Sequence, residues 1–441
     1  MPIVTGPRRG SVAKGLLGAL GAIGLLLAIG LGVVLFITGG GGVIASPAGM
    51  VGGPIRVVGP AGDRVYLLTT QWRTYRPSPG TSRSSYTDLL TDVWAFDARD
   101  AKPVWRRRLS SDRRGVNMGR AVLGAQNEVL WVLTTTGLIG LALKDGAPVA
   151  DVAAIEAANP PLRGVIPSEQ RYYRFDGQGL AFTAADGRDW RMTGEGLKAV
   201  AAPRIARNLR DKPAPSAPGV TVPAYTAGGI GTYAFQARGL QLQKRWLGLL
   251  ADAEVETFRK NQAIGGTDPE NHPRSRLWWA DRGSVREFLG PRATYSGFTP
   301  LPESPEFLYG GLLTDGRSSV PIMLFKPDGL LVLHRDKLGE GGRWRLTRVS
   351  GPNGKVAWTA DLPLNAIDSV MPGEGSVLMH GYRDEEPTRR DRRPDPTPQL
   401  VAVDLATGRI GVYGFKVKAT KPEDIPPSST PSAIEPAPAA K

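Results

Sequence analysis

Three histidines are the side chains in this sequence best suited to proton transfer or metal binding near neutral pH. His272 lies in a polar loop, whereas His334 ends the apolar run LLVLH and His380 ends SVLMH. Two imidazoles at the exits of neighbouring strands could line one rim of a sheet assembly, although single histidines at strand ends are usually structural. The triplet from His334 to Asp336 also matches a kinase motif, but the glycine-rich loop and Asp-Phe-Gly of kinases do not accompany it.

Several classes of chemistry are excluded by what the sequence lacks. It has no cysteine, which removes disulfides, thiolate nucleophiles and cysteine-bound zinc or iron–sulfur centres. No Walker loop, Gly-x-Ser-x-Gly elbow or His-Glu-x-x-His helix occurs. Asp97 and Asp404 stand where strands pass into turns, so we expect their carboxylates to accept hydrogen bonds from turn amides. The sequence therefore predicts no catalytic, cofactor-binding or metal-binding residue.

The elements that must position these residues follow a repeated strand–turn–strand pattern. Residues 401–415 read VAVDLATGRIGVYGF, with alternating apolar residues, a turn and a β-branched and aromatic return strand. Similar segments begin at residues 93, 137, 179 and 350, and DAKPV at residue 100 recurs as DGAPV 45 residues later. A spacing of about 40–45 residues between such units is typical of the blades of a β-propeller.

The turn pattern Ala-x-Asp-x-x-Thr-Gly followed by an aromatic residue resembles the repeat of PQQ-type (quinoprotein-like) β-propellers. It is complete once, at residues 402–413, and partial elsewhere, with Trp105 near the place of Tyr413. The residues that carry the resemblance are Asp97, Trp105, Asp145, Gly146, Gly354, Trp358, Asp404, Gly408 and Tyr413. The resemblance implies a structural role for them. That superfamily contains quinoprotein dehydrogenases and also non-catalytic propellers that act as assembly scaffolds in the bacterial envelope.

We therefore predict an all-β fold, a single β-propeller of about seven four-stranded blades (six to eight) over residues 55–417. The many glycines and prolines favour short strands joined by turns, and ten tryptophans suit blades that dock an aromatic side chain on a neighbour. One inserted amphipathic helix is predicted within residues 241–262 from helical spacing. Residues 55–59 should close the ring by joining the sheet of residues 401–415. A β-sandwich or two separate β domains is the alternative.

The N-terminal part predicts a membrane anchor. Residues 16–38 contain no charged side chain, which is long enough for a transmembrane helix. Arg8, Arg9 and Lys14 precede it and favour a cytoplasmic N-terminus over residues 1–15. The stripe of Gly24, Ala28 and Gly32 could allow two such helices to pair as a homodimer. The alternative is a cleaved signal peptide and a soluble periplasmic protein.

The segments on either side of the predicted β domain and the net charge add further expectations. Residues 39–54 are predicted to be a Gly-rich tether, and residues 418–441 a disordered Pro/Ala-rich tail. The net charge is +14, but the arginines are scattered, and those of residues 389–393 alternate with acidic residues. No nucleic-acid recognition pattern accompanies them, so nucleic acid is not expected as a partner.

These features together predict a membrane-anchored periplasmic propeller in the inner membrane. We expect it to bind or to scaffold an envelope protein or ligand, without a cofactor, because propeller loops present partners with a rigid surface. The alternative function is that of a PQQ-dependent or metal-dependent propeller enzyme, either a dehydrogenase or a hydrolase. Such an enzyme would need oxygen ligands for a cation beside the quinone, and no cluster of that kind can be recognised in the sequence.

Overall fold

The computed structural model describes most of the chain after residue 41. The described residues are 42–77, 84–113, 120–176, 179–193, 197–202, 222–223, 225–226, 236–237, 239–242, 244–261, 273–287, 290–313, 329–339, 342–373, 375–384 and 396–415. Within them the chain is mostly β, with two α-helices and five sheets, and all strand pairs are antiparallel.

The N-terminal half of the described chain forms three four-stranded meanders. A short strand, β1 (Gly42–Ala45), precedes them. Meander 1 comprises β2 (Gly49–Gly59), β3 (Gly62–Arg76), β4 (Tyr86–Asp97) and β5 (Pro103–Arg113). Meander 2 comprises β6 (Ala121–Gln126), β7 (Val129–Thr134), β8 (Gly137–Ala142) and β9 (Pro148–Ala150). After helix α1 (Val152–Ala158), meander 3 comprises β10 (Tyr173–Asp176), β11 (Gly179–Thr183), β12 (Asp189–Met192) and β13 (Ala199–Ala201).

The C-terminal half forms three more meanders. Short strands come first, β14 (Val222–Pro223), β15 (Tyr225–Thr226) and β16 (Gln236–Ala237). Meander 4 comprises β17 (Gly239–Leu242), β18 (Arg245–Leu250), helix α2 (Asp252–Asn261), β19 (Arg274–Glu287) and β20 (Gly290–Pro300). Meander 5 comprises β21 (Phe307–Leu313), β22 (Leu330–Arg335), β23 (Trp344–Val349) and β24 (Val356–Asp361). Meander 6 comprises β25 (Ala366–Met371), β26 (Ser376–Arg383), β27 (Thr397–Asp404) and β28 (Ile410–Gly414).

The six meanders make only five sheets because β19 pairs with β21, which joins meanders 4 and 5. Two short 3-10 helices, Pro160–Leu162 and Gln170–Tyr172, lie between α1 and β10. The expectation of an all-β chain with four-stranded units is therefore confirmed at the level of strands and sheets. Six four-stranded meanders are traced among the described residues, and the predicted number of propeller blades stays a prediction.

Hydrophobic cores lie between five pairs of meanders. Separate clusters of buried side chains join meanders 1 and 2, 2 and 3, 4 and 5, and 5 and 6. A further cluster joins the last meander to the first, where Leu378 and Leu400 pack with Leu67 and Trp94. Burying one such large apolar side chain stabilises the fold by about 1.5–3 kcal/mol. The chain is thus held together by face-to-face packing of its sheets, including a contact between the two ends.

The predicted helix within residues 241–262 is shorter than expected. Only α2 is helical, and Trp246, Leu249 and Leu250 lie on β18. Leu249 packs towards meander 5 while Trp246 and Leu250 pack towards α2, so this strand is buried on both faces. A strand that is apolar on both faces can imitate helical spacing over a few residues, which explains the misreading.

Helix α1 was not predicted from the sequence. The Asp151 side chain caps it by accepting a 2.7 Å hydrogen bond from the Ala154 N–H. Its one buried side chain, Ile155, packs into the core between meanders 2 and 3. A seven-residue helix with a single buried position gives too few periodic residues for a pattern to be read.

The predicted ring closure by strand exchange is wrong. Residues 55–59 belong to β2, which pairs with β3 and β14, whereas the hairpin β27–β28 continues the sheet of β25 and β26. The fourth strand of meander 6 is supplied by its own sequence, so no strand from the N-terminus is needed there. Contact between the two ends is made by side chains instead.

Arg56 makes much of this end-to-end contact. It is fully buried and forms an ion pair with Asp63 of its own meander. It also donates to the Ser376 carbonyl at 2.8 Å and to Ser376 Oγ at 2.9 Å, in meander 6. Ser376 Oγ in turn donates to the Ala98 carbonyl of meander 1 at 2.7 Å. We call Arg56, Asp63 and Ser376 the end-to-end latch.

The predicted tether over residues 39–54 is also largely structured. β1 pairs with the end of β3, and β2 begins at Gly49. Glycine-rich sequence is compatible with strands where the neighbouring backbone supplies the hydrogen bonds, and here the outer end of β3 does so.

Candidate functional site

The turn between the third and fourth strands is repeated in four meanders. Its first residue donates a backbone hydrogen bond to the carbonyl five residues on, and its fifth residue donates back to the first. The first residues are Asp97, Ala142, Ser350 and Asp404. The fifth residues all have positive φ: Ala101 at 57°, Gly146 at 72°, Gly354 at 79° and Gly408 at 73°. The backbone therefore repeats more closely than the sequence does.

The polar side chains of these turns are used by the turns themselves. The fourth residue accepts a hydrogen bond from the amide two positions on, at 2.9–3.3 Å; these residues are Asp100, Asp145, Asn353 and Thr407. Asp97 accepts from the Arg99 N–H, and Asp404 accepts from both Thr407 N and Oγ1. The bond from Thr407 lowers the pKa of Asp404. Side chains that accept these backbone hydrogen bonds stabilise the turn.

Tryptophans dock on two of these turns from the preceding meander. Trp105 donates from Nε1 to the Leu143 carbonyl at 3.0 Å and lies over Gly146, where a Cβ would come within 2.7 Å of its ring. Trp358 of meander 5 docks in the same way on the turn of meander 6, and its indole N–H donates to the Leu405 carbonyl at 3.1 Å. It lies over Gly408 at the same 2.7 Å distance. Glycine is needed there for both its φ and its lack of a side chain.

Tyr413 does not occupy the place of Trp105. In the strand register Trp105 lies opposite Ala95, two residues before Asp97, and the matching residue of meander 6 is Gly411, opposite Ala402. A Cβ on Gly411 would come within 2.0 Å of the Asp100 carbonyl oxygen. Tyr413 instead packs against Phe96 of meander 1, with ring centroids 4.9 Å apart. The end-to-end contact therefore uses backbone against backbone where the other turns use tryptophan.

A buried polar cluster lies at the beginning of meander 6. We define the His380 cluster as Asp368 and Ser369 on β25 and His380 and Tyr382 on β26. Ser369 and His380 are partners across the two strands. The His380 Nδ1 lies 3.8 Å from Asp368 Oδ2, and its ring lies 5.6 Å from that of Tyr382. The side chain faces meander 1, because Leu378, two residues earlier, belongs to the core that the two meanders share.

Burial dominates the electrostatics of the His380 cluster. His380 is 1% exposed, and burial lowers its pKa to about 4, so the imidazole is neutral at pH 7. Its two ring nitrogens and Ser369 Oγ have no hydrogen-bond partner in the described structure. Burial raises the pKa of Asp368, and burial together with the nearby Asp368 charge raises the pKa of Tyr382. Converging perturbed groups often mark functional sites, but the imidazole and the serine hydroxyl here are closed off from solvent.

The second strand-end histidine is not near the first. His334 on β22 faces meander 4, since Leu330 and Val332 of the same strand pack in the core of meanders 4 and 5. Its Nε2 forms a 2.8 Å hydrogen bond with Thr347 Oγ1, and burial lowers its pKa to about 4. The two histidines therefore lie in different interfaces and do not form the shared rim that their sequence positions suggested. His272 lies outside the described residues.

Two other features of the described chain are candidate sites, a surface pocket and a buried carboxylate. A surface pocket of about 410 Å³ between meanders 2 and 3 is lined by apolar side chains such as Val122 and by Arg171 and Arg174. Asp92, which is 3% exposed, is paired with Arg106 and Arg108 on β5. Within the described part of the chain, no group of three or more His, Asp or Glu side chains is arranged to hold a metal ion.

Several predictions concern residues outside the described ranges. These are the charges Arg8, Arg9 and Lys14, the span 16–38 with Gly24, Ala28 and Gly32, the arginines of residues 389–393 and the tail 418–441. Among the helices that are described, none has the length and apolar character needed to cross a membrane.

No protein-family model matches the chain, and no curated protein matches it. The fold defines the protein as a mostly β protein of repeated antiparallel meanders.

Proposed function

We propose that this protein is a membrane-anchored β-propeller of the PQQ-type superfamily that binds an envelope protein as a scaffold on the periplasmic side of the inner membrane. In this proposal each meander is one blade, which gives a ring of six. Support comes from the packing of meander 6 on meander 1. The first strands also converge, since β2 contacts both β6 and β25 and β6 contacts β10. A propeller brings its innermost strands together in this way.

The observation that carries the proposal is the repeated turn with its docked tryptophan. Residues 105 and 358 stand at the same register position of different meanders and make the same two contacts. Four of the residues through which the sequence resembles the PQQ-type repeat, Trp105, Gly146, Trp358 and Gly408, thus have equivalent structural environments. This structural equivalence favours a series of similar blades over a β-sandwich or two unrelated β domains.

The anchor is proposed from the sequence. Residues 16–38 are uncharged, and the positive charges lie before them. The described part of the chain begins with β1, which starts at Gly42. The bulk of the chain is accordingly assigned to the periplasm.

Binding is favoured over catalysis by how the ionisable residues are used. The turn carboxylates of Asp97 and Asp404 accept backbone hydrogen bonds, and His380 is enclosed in an interface. The surface of the β domain remains available for interaction, and loops presented on a rigid β scaffold suit a protein partner. The enzyme alternative would require PQQ or a divalent cation held on oxygen ligands.

The test uses the full-length protein in its own membrane. A photoreactive amino acid is placed singly at exposed sites of three different meanders, for example Val200, Leu338 and Val412. We expect one discrete protein adduct at some of these sites and none at the others. The adduct should be lost when the photoreactive amino acid is placed at a buried position instead. The absence of any adduct, together with stoichiometric binding of PQQ or calcium in calorimetry, would favour the enzyme instead.

A further inference from the structure

Meander 1 has an extension that its neighbours do not share. β3 has 15 residues and β4 has 12, and the end of this hairpin continues past the sheet. β1 pairs only there, with Gly42 opposite Arg76 and Ala45 opposite Arg73. We define the extension as residues 42–46, 71–76 and 84–88.

The chain is fixed to this extension directly after β1. The Ser46 N–H donates to the Trp72 carbonyl at 2.9 Å, and the Trp72 N–H donates to Ser46 Oγ at 3.0 Å. The Gln71 side chain donates to the Ser46 carbonyl at 2.8 Å. The segment that follows the proposed membrane span is therefore held firmly along the hairpin.

The surface of the extension carries exposed apolar and aromatic side chains. Ile44 is 50% exposed, Trp72 39% and Tyr86 41%. Trp72 and Tyr86 are the two aromatic residues among the exposed large hydrophobic side chains of the described chain. Tyr86 stacks on Tyr75, with ring centroids 4.6 Å apart. Tryptophan and tyrosine are the side chains that concentrate at membrane–water interfaces.

Basic residues accompany the aromatic ones. Arg76 at the end of β3 is exposed and lies on the same face as Trp72 and, through the pair of Ile44 with Thr74, as Ile44. Arg73 and the stacked Tyr75 and Tyr86 lie on the opposite face. Asp88 lies opposite Arg73 on β4 and is the acidic residue of this part of the extension. Arginines near a membrane surface are attracted to anionic headgroups.

The register places this surface near the bilayer. Gly42 lies opposite Arg76, so β1 starts at the far end of the extension and runs back towards the sheet. Residue 38 ends the proposed span, and four residue steps separate it from residue 42, which reach at most about 14 Å. The outer end of the extension is consequently bound to stay within that distance of the point where the chain leaves the membrane.

We propose that the extension rests on the periplasmic surface of the bilayer. Ile44 and Trp72 lie at the boundary of headgroups and acyl chains, and Arg76 on the same face contacts anionic headgroups. This second contact fixes the orientation of the β domain, so that the opposite end of meander 1 points away from the membrane. The inference rests on the proposed anchor.

The absence of cysteine makes a direct test simple, because a single introduced cysteine takes the only label. Ile44→Cys carries a nitroxide spin label on the full-length protein in nanodiscs that contain phosphatidylglycerol. The matched control is Val104→Cys on β5, 44% exposed and paired near the other end of β4, about 30 Å away along the strand. We expect the label at residue 44 to be shielded from a water-soluble relaxation agent and reached by oxygen, and the label at residue 104 to be fully accessible to the water-soluble agent.

A second set of variants tests the residues named. Trp72→Ser should restore access of the water-soluble agent to the label at residue 44, and Tyr86→Ser on the opposite face should leave the label shielded. Arg76→Gln should lower the docked fraction about fivefold in anionic nanodiscs and leave it unchanged in phosphatidylcholine.

The outcomes separate this inference from the anchor. A chain that co-purifies with nanodiscs but has a water-accessible label at residue 44 overturns the surface contact and leaves the anchor standing. A chain that does not enter nanodiscs overturns both. Shielding that occurs in cell envelopes and not in nanodiscs would assign the extension to a protein partner and overturn the lipid contact.

Discussion

Gly408 illustrates at the residue scale how one position ties two meanders together. Its φ of +73° is in the left-handed region, and Trp358 of the preceding meander lies where a side chain would be. The indole also donates to Leu405 of the same turn. The turn conformation and the packing between meanders therefore depend on the same glycine.

We expect Gly408→Ala to destabilise the protein more than Gly187→Ala. Gly187 also has a positive φ, of 81°, but nothing lies within 4 Å of a Cβ there. The left-handed backbone alone should cost about 1–2 kcal/mol, and displacing Trp358 should add about 1–3 kcal/mol. Urea denaturation of both variants measures this, and equal losses would show that the tryptophan does not hold the turn.

The buried His380 should make stability depend on pH. Its pKa is lowered to about 4 in the folded protein, against about 6.5 when unfolded. Between these values the unfolded chain binds the proton and the folded chain does not, so stability should fall as the pH falls from 6.5 to 4. The slope is at most about 1.4 kcal/mol per pH unit for each such histidine.

His380→Phe should remove this residue's share of the slope while leaving stability near pH 7 almost unchanged, and His334, whose pKa is also lowered to about 4, keeps its own share. The imidazole nitrogens have no partners, so an apolar ring loses no hydrogen bond. Asp368, whose pKa is raised, contributes with the opposite sign and is present in both proteins. Free energies of unfolding from pH 4 to 7 are compared, and an unchanged slope would mean that His380 is protonated in the folded state.

At the scale of elements, the end-to-end latch shows how β2 is joined to meander 6 without sharing its sheet. The guanidinium of Arg56 bridges the Asp63 carboxylate and the Ser376 carbonyl and hydroxyl, and a Cβ on Gly373 would come within 2.0 Å of its Cζ. The backbone of meander 6 is thus shaped to receive this one side chain.

Arg56→Met should destabilise the protein by about 3–5 kcal/mol, because it leaves buried partners of a charged group without hydrogen bonds. The control is Arg345→Gln, which breaks an ion pair with Asp361 that is largely exposed and should cost at most about 1 kcal/mol. Guanidinium denaturation gives both values, and similar losses would contradict a structural role for the latch.

The elements also show what can be read from the sequence. The strand–turn–strand repeats at residues 93 and 401 could be predicted because their alternation and turn residues are local signals. The helix within residues 241–262 was misplaced since β18 is apolar on both faces. The His380 cluster, the latch and the extension depend on which strands become neighbours, and no short-range pattern contains that information.

At the scale of the whole molecule, the proposed function depends on the contact between meanders 1 and 6 and on the proposed membrane anchor. The end-to-end contact joins meanders 1 and 6 among the described residues, and the proposed anchor would put the β domain on one side of a membrane. The repeat spacing predicts six to eight blades, and this number stays a prediction.

The anchor predicts the topology. A reporter that is active only in the cytoplasm, fused after residue 417, should be silent, whereas the same reporter at the N-terminus should be active. Activity of the C-terminal fusion would place the β domain in the cytoplasm and contradict the proposed location.

The central claim, a ring closed by meander 6 on meander 1, is tested most directly by hydrogen exchange of a shortened chain. The full-length protein is compared with a chain that ends at residue 396 and lacks β27 and β28, and a chain that ends at residue 418 serves as the control. A closed ring predicts that the shortened chain loses amide protection in β3 and β4 of meander 1, which pack against the missing strands. Unchanged protection in meander 1, with loss confined to meanders 5 and 6, would contradict the ring and show two separate β domains.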